Sequence, residues 1–169
     1  MKNIAFIGTS HIHTPNFISK VISNIKINCI GVWDKDKNRS KSDSEKLKCK
    51  NYDNYIDLLK EPNLDGVIVC SETNLHYELV KQITENKKNC FIEKPLGIGK
   101  KDSFEMANLI ESSNIIFQTG YFMRSNPVYI KLKELITANY FGEISRIRLV
   151  NCHDGIMTVS YTHLTLPTK

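Results

Sequence analysis

Four short segments carry side chains or backbone suited to chemistry, and each directly follows an apolar run. The first, Gly8-Thr9-Ser10-His11-Ile12-His13, follows Asn3–Ile7. Against the dinucleotide fingerprint G-x-G-x-x-G it keeps the first glycine, with Ser10 and His13 at the other two glycine positions. Gly8 can make the tight turn. Ser10 is small enough to let the backbone approach a pyrophosphate, and it adds a hydroxyl donor. His13 cannot give the close helix–strand packing of a third glycine, and an ordinary βα turn could also begin this way. Two histidines at i and i+2 share no helix face, and no carboxylate or cysteine lies nearby in sequence. The pair therefore reads as no metal site; a histidine at a helix N-terminus donating to a phosphate suits it better.

The second segment is Asp34, 26 residues after Gly8 and at the end of Ile27–Trp33. A carboxylate there accepts hydrogen bonds from the adenosine ribose, repels a 2′-phosphate and so favours NAD over NADP. Lys35 and Arg39 beside it are cations that could instead accommodate that phosphate. The third, Ser71-Glu72-Thr73-Asn74-Leu75-His76, follows Gly66–Cys70 and combines helix-capping residues with a histidine in the first helical turn. The fourth, Glu93-Lys94-Pro95, follows Cys90–Ile92. A lysine at a buried strand end, beside an acid and stiffened by proline, can donate to a substrate hydroxyl or carbonyl oxygen and exchange a proton with it. The Lys94–Pro95 bond is a candidate cis peptide, since cis costs little before proline.

What must position these segments is an alternation of strands and helices. Asn3–Ile7, Ile27–Trp33, Gly66–Cys70, Cys90–Ile92 and Ile115–Gln118 read as strands, with a short one near Cys49–Tyr52. Between them, helices are expected over Phe17–Ile25, over Lys35–Lys48, after an Asp53 cap, from an Asn74 cap, and from Asp102 or Ser103. The strands are continuously apolar, which means a sheet covered on both faces. Strict alternation then predicts right-handed βαβ crossovers and an α/β fold with a doubly wound, Rossmann-type parallel sheet. In such sheets ligands bind beyond the carboxyl ends of the strands, where all four segments fall.

The pattern changes near residue 125. Pro127 opens a helix carrying Tyr129, Ile130, Leu132 and Leu135, and Arg146-Ile147-Arg148-Leu149 alternates charged and apolar residues like an antiparallel strand. We expect a dinucleotide-binding domain over residues 1–125, then the first helix and strand of an incomplete α+β substrate or oligomerisation domain over 126–157. Residues 158–169 fit neither pattern and read as a non-native or disordered tail.

Composition narrows the class. Among 169 residues, 41% are hydrophobic and 24% charged, which is globular rather than disordered. No run reaches the roughly 18–20 apolar residues that span a bilayer. The N-terminus enters a strand with no signal-peptide pattern, so the expected location is the cytoplasm and no membrane partner. The net charge of +5 is dominated by lysine, and the densest basic stretch, Lys35–Lys50, is interrupted by Asp36, Asp43 and Glu45. This is not the clustered basic and aromatic face of a nucleic-acid binder. Five cysteines without a C-x-x-C pair read as reduced thiols.

Together these residues resemble the N-terminal domain of the Gfo/Idh/MocA oxidoreductases, over roughly residues 1–155. The matching pieces stand in family order: Ile4–Gly8; Gly31-Val32-Trp33-Asp34 with Arg39; Leu64-Asp65-Gly66-Val67-Ile68-Val69; Ser71 to His76; Phe91-Ile92-Glu93-Lys94-Pro95-Leu96; Gly120 to Arg124; and Phe141-Gly142-Glu143-Ile144. Ser10, His13 and Glu72 depart from the family pattern. The resemblance implies NAD or NADP as cofactor, a sugar or polyol as substrate, and hydride transfer at a CH–OH group. It implies that Lys94 is the catalytic lysine at the substrate hydroxyl, with Glu93 shaping the nicotinamide pocket and Arg124 near nicotinamide and substrate. Gly8, Thr9, Ser10, His11 and Ile12 match the pyrophosphate loop, Asp34 with Lys35 and Arg39 the ribose site, and Ser71, Glu72, Asn74 and His76 the cofactor-facing turn. Further catalytic residues belong to a second domain, without which the chain would bind cofactor but not turn over, and the longer form would be a homo-oligomer. A non-catalytic nucleotide sensor of the same fold has no use for Lys94, and a Rossmann-type methyltransferase leaves Glu93-Lys94-Pro95 unexplained.

Overall fold

The computed structural model describes residues 1–150. Its chain divides into two compact units, Met1–Tyr121 and a second beginning at Phe122. The first unit alternates β1 (Lys2–Ile7), α1 (Thr14–Ser23), β2 (Ile27–Trp33), α2 (Lys37–Leu47), β3 (Lys50–Asn51), α3 (Tyr55–Leu59), β4 (Gly66–Val69), α4 (His76–Glu85), β5 (Asn89–Ile92), α5 (Gly99–Ser113) and β6 (Phe117–Thr119). All strand pairs are parallel, in the order β3-β2-β1-β4-β5-β6. This is the doubly wound Rossmann sheet expected from the alternation, with its switch point between β1 and β4.

The continuous apolar strands are covered on both faces. Phe6, Cys29 and Val32 pack with Ile18, Val21 and Leu47 of α1 and α2. Ala5, Ile7, Val67, Val69 and Ile92 pack on the other face with Leu58, Leu79, Ile83 and Met106. The central strands β1, β2 and β4 thus remove apolar surface from water on both sides, which stabilises the layer by roughly 25 cal/mol per Å² buried. The four cysteines among the described residues are free. No helix among those residues is long and apolar enough to cross a membrane.

Local signals set the element starts, with several departures from expectation. The cap of α3 is Asn54, whose Oδ1 accepts the Ile56 N–H at 2.9 Å, and not Asp53. Asp53, one residue outside the cap and almost fully exposed, instead pairs with the Lys37 ammonium at 3.0 Å. Asn74 does not cap α4; it lies inside a 3₁₀ turn, Thr73–Leu75, that leads into the helix without a side-chain cap. α5 begins at Gly99, ahead of Asp102 and Ser103. Asp102 serves that start from within the first turn, its Oδ2 accepting the Ile98 N–H at 2.7 Å. The Lys94–Pro95 peptide is cis.

In the second unit, a 3₁₀ turn over Phe122–Ser125 precedes α6 (Pro127–Thr137), capped by Asn126 Oδ1 on the Val128 N–H at 2.9 Å. The strand expected over Arg146–Leu149 is not formed among the described residues. An alternating segment becomes a strand only when a neighbour completes its ladder, and none of the described residues does so. The tail expected over 158–169 lies outside the described residues, as do residues 151–157 of the expected second domain.

Candidate functional site

Strand register sets the frame of the site. Ile7 is opposite Trp33 and Val69, Val69 is opposite Ile92, and Ile92 is opposite Thr119. The next residue of each strand therefore falls in one row beyond the sheet: Asp34, Gly8, Cys70, Glu93 and Gly120. Backbone bonds extend the sheet into this row, Gly8 N to Trp33 O at 2.7 Å and Glu93 N to Val69 O at 2.9 Å among them.

In this row, between Asp34 and Cys70, Gly8 has φ +78°, and a Cβ on it would lie 2.7 Å from Ser71 Cα. Only glycine accepts both the left-handed backbone and that approach. The Gly8–His13 loop is then pinned by His11 N–H donating to Cys70 O at 2.9 Å. The N–H groups of Ser10 and Ile12 have no acceptor among the described residues. They stand before the N-terminus of α1, whose N-cap His13 makes no side-chain cap bond. Free N–H donors ahead of a helix N-terminus form an anion cradle, so the loop fits a pyrophosphate despite Ser10 and His13. A cavity of about 710 Å³ opens on it, lined by Ser10, His11, Pro15, Ile18, Arg39 and Lys46 among others.

Asp34 is buried, and each of its oxygens takes two donors. Oδ2 accepts from the N–H and hydroxyl of Thr9, itself buried, and Oδ1 accepts from Asp36 N at 2.7 Å and Arg39 Nη2 at 2.9 Å. Burial by itself would raise this carboxyl, but Arg39 and the two backbone N–H groups outweigh it and hold it below the usual carboxylate range. Arg39 also lies 3.9 Å from both Asp36 and Glu72, while Lys35 is exposed. The side chains of Asn74 and Ile12 are likewise partly or fully exposed, and Ser71 is buried against Gly8.

The β5 end is built differently. Glu93 is 3% exposed. Its Oε2 accepts the Lys94 N–H at 2.7 Å, and its Oε1 is 2.8 Å from His13 Nδ1. A Cβ on Gly120 would be 2.9 Å from Glu93 Oε2, so the glycine keeps room for the carboxylate. His76, also buried, places Nδ1 3.0 Å from the carbonyl oxygens of both Pro95 and Leu96. Carbonyls only accept, so Nδ1 carries a proton, while Nε2 is buried with no partner among the described residues. His11 is held below the ordinary histidine range chiefly by burial, with His13, Lys94 and His76 adding to it against the opposing pull of Glu93. The Lys94 side chain is half-buried.

The fold thus brings Gly8–Ile12, Asp34, Arg39, Ser71, His76, Glu93 and Lys94 to one end of one sheet. Arg124 belongs to the second unit, where it lines a groove of about 660 Å³ with Tyr129, Ile130 and Lys133. Sequence reasoning named His13 and Gly120 but missed what both do at Glu93. His13 reaches a carboxylate 80 residues away, and Gly120 makes space for it. Glu93 supplies the acid that the neighbourhood of His11 and His13 lacks, a contact that no short-range spacing encodes.

Residues 2–121 match the Gfo/Idh/MocA oxidoreductase family, NAD-binding Rossmann fold. The chain is 32% identical over 146 residues to myo-inositol 2-dehydrogenase of Thermotoga maritima, covering 86% of this chain and 42% of that protein. It is 27% identical over 132 residues to the NAD(+)-dependent scyllo-inositol 2-dehydrogenase of Bacillus subtilis, covering 78% and 38%. Among solved structures, scyllo-inositol dehydrogenase from Lactobacillus casei, crystallised with NAD(H) and scyllo-inositol, shares the fold. The TM-score is 0.72 at 18% identity, covering 86% of this chain and 43% of that one. The chain spans about two-fifths of the length of these relatives.

Proposed function

This chain belongs to the Gfo/Idh/MocA oxidoreductase family, and from that membership we propose that it is the cofactor-binding part of an NAD(P)-dependent enzyme acting on a CH–OH group of a sugar or polyol. The observation that carries the reading is the single row beyond the sheet, where an anion cradle at Gly8–Ile12 and a half-buried Lys94 stand two strands apart. The inositol dehydrogenases among the relatives support a cyclic polyol as the substrate class.

Ser10 and Ile12 N–H groups would hold the pyrophosphate, and Asp34 the adenosine ribose. Asp34 can take a ribose hydroxyl only by giving up an internal donor. Arg39 is the one whose release costs least, because it keeps Asp36 and Glu72 within 3.9 Å. The nicotinamide, when bound, supplies or accepts the hydride. Lys94 Nζ would hold the substrate oxygen and move its proton, while Glu93 fixes the Lys94 backbone from below and His76 fixes the Pro95–Leu96 segment. Arg124 and a substrate-binding, self-associating domain from residue 126 onward belong to the same proposal, as does a cytoplasmic location.

Trp33, next to Asp34 and the chain's only tryptophan, gives the test. Titration of NADH against its fluorescence is expected to quench it saturably, more tightly than NADPH. A preference for NADPH would transfer the ribose role from Asp34 to Lys35 and Arg39. No response from a folded sample would end the dinucleotide reading and leave a sensor of some other ligand.

A further inference from the structure

His11, His13 and Glu93 each offer one ligand atom, and the three atoms lie within 4.8 Å of one another. They come from different parts of the site, two from the loop after β1 and one from the end of β5. The imidazoles of His11 and His13 meet edge to face with ring centroids 4.8 Å apart. His13 Nδ1 and Glu93 Oε1 already share a hydrogen bond at 2.8 Å. We propose that these residues form a site for a zinc-class divalent cation, with a ring nitrogen of His11, Nδ1 of His13 and Oε1 of Glu93 as ligands and water completing the coordination.

The chemistry of the donor set is selective. Two imidazoles and one carboxylate form a borderline set that suits Zn²⁺ or Co²⁺, with a fourth position left open. Calcium and magnesium, which require mostly oxygen ligands, are poorly served. Glu93 is buried, and its second oxygen is anchored by the Lys94 N–H at 2.7 Å, so the carboxylate is held in place before any ion arrives. The side chain of His13 is 41% exposed, and the neutral tautomer with its proton on Nε2 presents Nδ1 as a lone-pair ligand. The cation then takes the place of the proton between His13 and Glu93. His11 is only partly buried, and its Nδ1 accepts the His13 N–H at 3.2 Å, a bond that a cation on that nitrogen would replace and that ligation through Nε2 would keep. The positive charge of Lys94 nearby opposes the cation, and the negative charge of Glu93 offsets it.

The experiment is calorimetric titration of Zn²⁺ into the full chain, free of nucleotide and of any affinity tag, with Mg²⁺ as control and Co²⁺ for its visible spectrum. One Zn²⁺ per chain is expected, with no heat from Mg²⁺ and with cobalt d–d bands lacking a thiolate charge-transfer band. Replacing a ligand should cost no less than loss of an outer-sphere partner, so His11→Asn and His13→Asn should each weaken Zn²⁺ about 100-fold or more. Glu93→Gln should do the same if circular dichroism shows it folded; the two histidine variants alter partly exposed rings and carry the test if it does not. Absence of Zn²⁺ binding would overturn the proposal, and so would unchanged affinity in both histidine variants. A thiolate-to-cobalt band would overturn it too, by placing the metal on cysteine, with Cys29 and Cys49, whose sulfurs are 3.7 Å apart, the first pair to replace.

Discussion

The two ends of the site are built on opposite plans. At the β2 end, Asp34 has every acceptor position filled by protein: two donors from Thr9, one from Asp36 and one from Arg39. At the β5 end capacity is left on the ligand-facing groups themselves: His76, as buried as Asp34, has an Nε2 without a partner among the described residues, and the ring of His13 is 41% exposed, whereas at the β2 end only Arg39 Nε, behind the carboxylate, goes unpaired. Saturation makes a charge structural, because every donor it holds would be left unsatisfied by its loss. Spare capacity is what a ligand or a reacting atom can use. The same sheet therefore carries a clamp at one edge of the crevice and reactive groups at the other.

Gly8→Ala strikes the hinge between the two ends and should have the largest effect. A left-handed backbone costs about 1–2 kcal/mol and overpacking about 1–3 kcal/mol, so a loss on the order of 4 kcal/mol in urea unfolding is expected, with loss of NADH quenching. A loss under about 1 kcal/mol would show that Ser71 yields and that the two ends are not locked together.

Asp34→Ala tests the clamp. It leaves Arg39 and the Thr9 N–H without their acceptor, and about 3 kcal/mol of stability should go, the low end for a broken buried pair because Arg39 keeps partial access to water. The same residue sets an acid limit. Its carboxyl is depressed in the folded state, so its contribution is present above the unfolded carboxylate value of 3.8 and is lost as pH falls through the lower folded value. Stability measured from about pH 5 to about pH 2 should therefore fall more steeply in the wild type than in Asp34→Asn. Parallel curves would mean that Asp34 is not the group that clamps the β2 end.

Lys94→Ala should change stability least, by no more than about 0.5 kcal/mol, since its half-buried side chain makes no hydrogen bond or ion pair among the described residues. In a longer protein that carries the substrate domain, the same change should lower turnover by about 10²–10⁴-fold. A loss of stability matching that of Asp34→Ala would erase the contrast between the two ends.

Much of this was legible in the residues. Continuous apolar runs ending in Gly8, Asp34, Cys70 and Glu93 announce parallel strands and their carboxyl ends, because burial on both faces leaves no alternation to read. The Glu93-Lys94-Pro95 segment marks its strand end by composition alone. Helix starts were less legible: Asn54 and Asp53 are both good caps, and what decides between them is where the backbone turns helical, at Tyr55, which puts Asn54 in the cap position. Arg146–Leu149 has the pattern of a strand, but a pattern forms a ladder only with a partner.

By itself the sequence determined the alternation of elements, the doubly wound class and the family, since these follow from hydrophobic periodicity and from short motifs whose residues are neighbours along the chain. Tertiary structure alone decided how the charges are spent. Asp34 is a saturated clamp and not a free acceptor, and His13 meets Glu93 across 80 residues. Gly120 leaves space that only the β6 register explains. The reason is physical: a hydrogen bond depends on distances of about 3 Å between groups that register and crossover bring together, and residue types along a chain do not specify those distances.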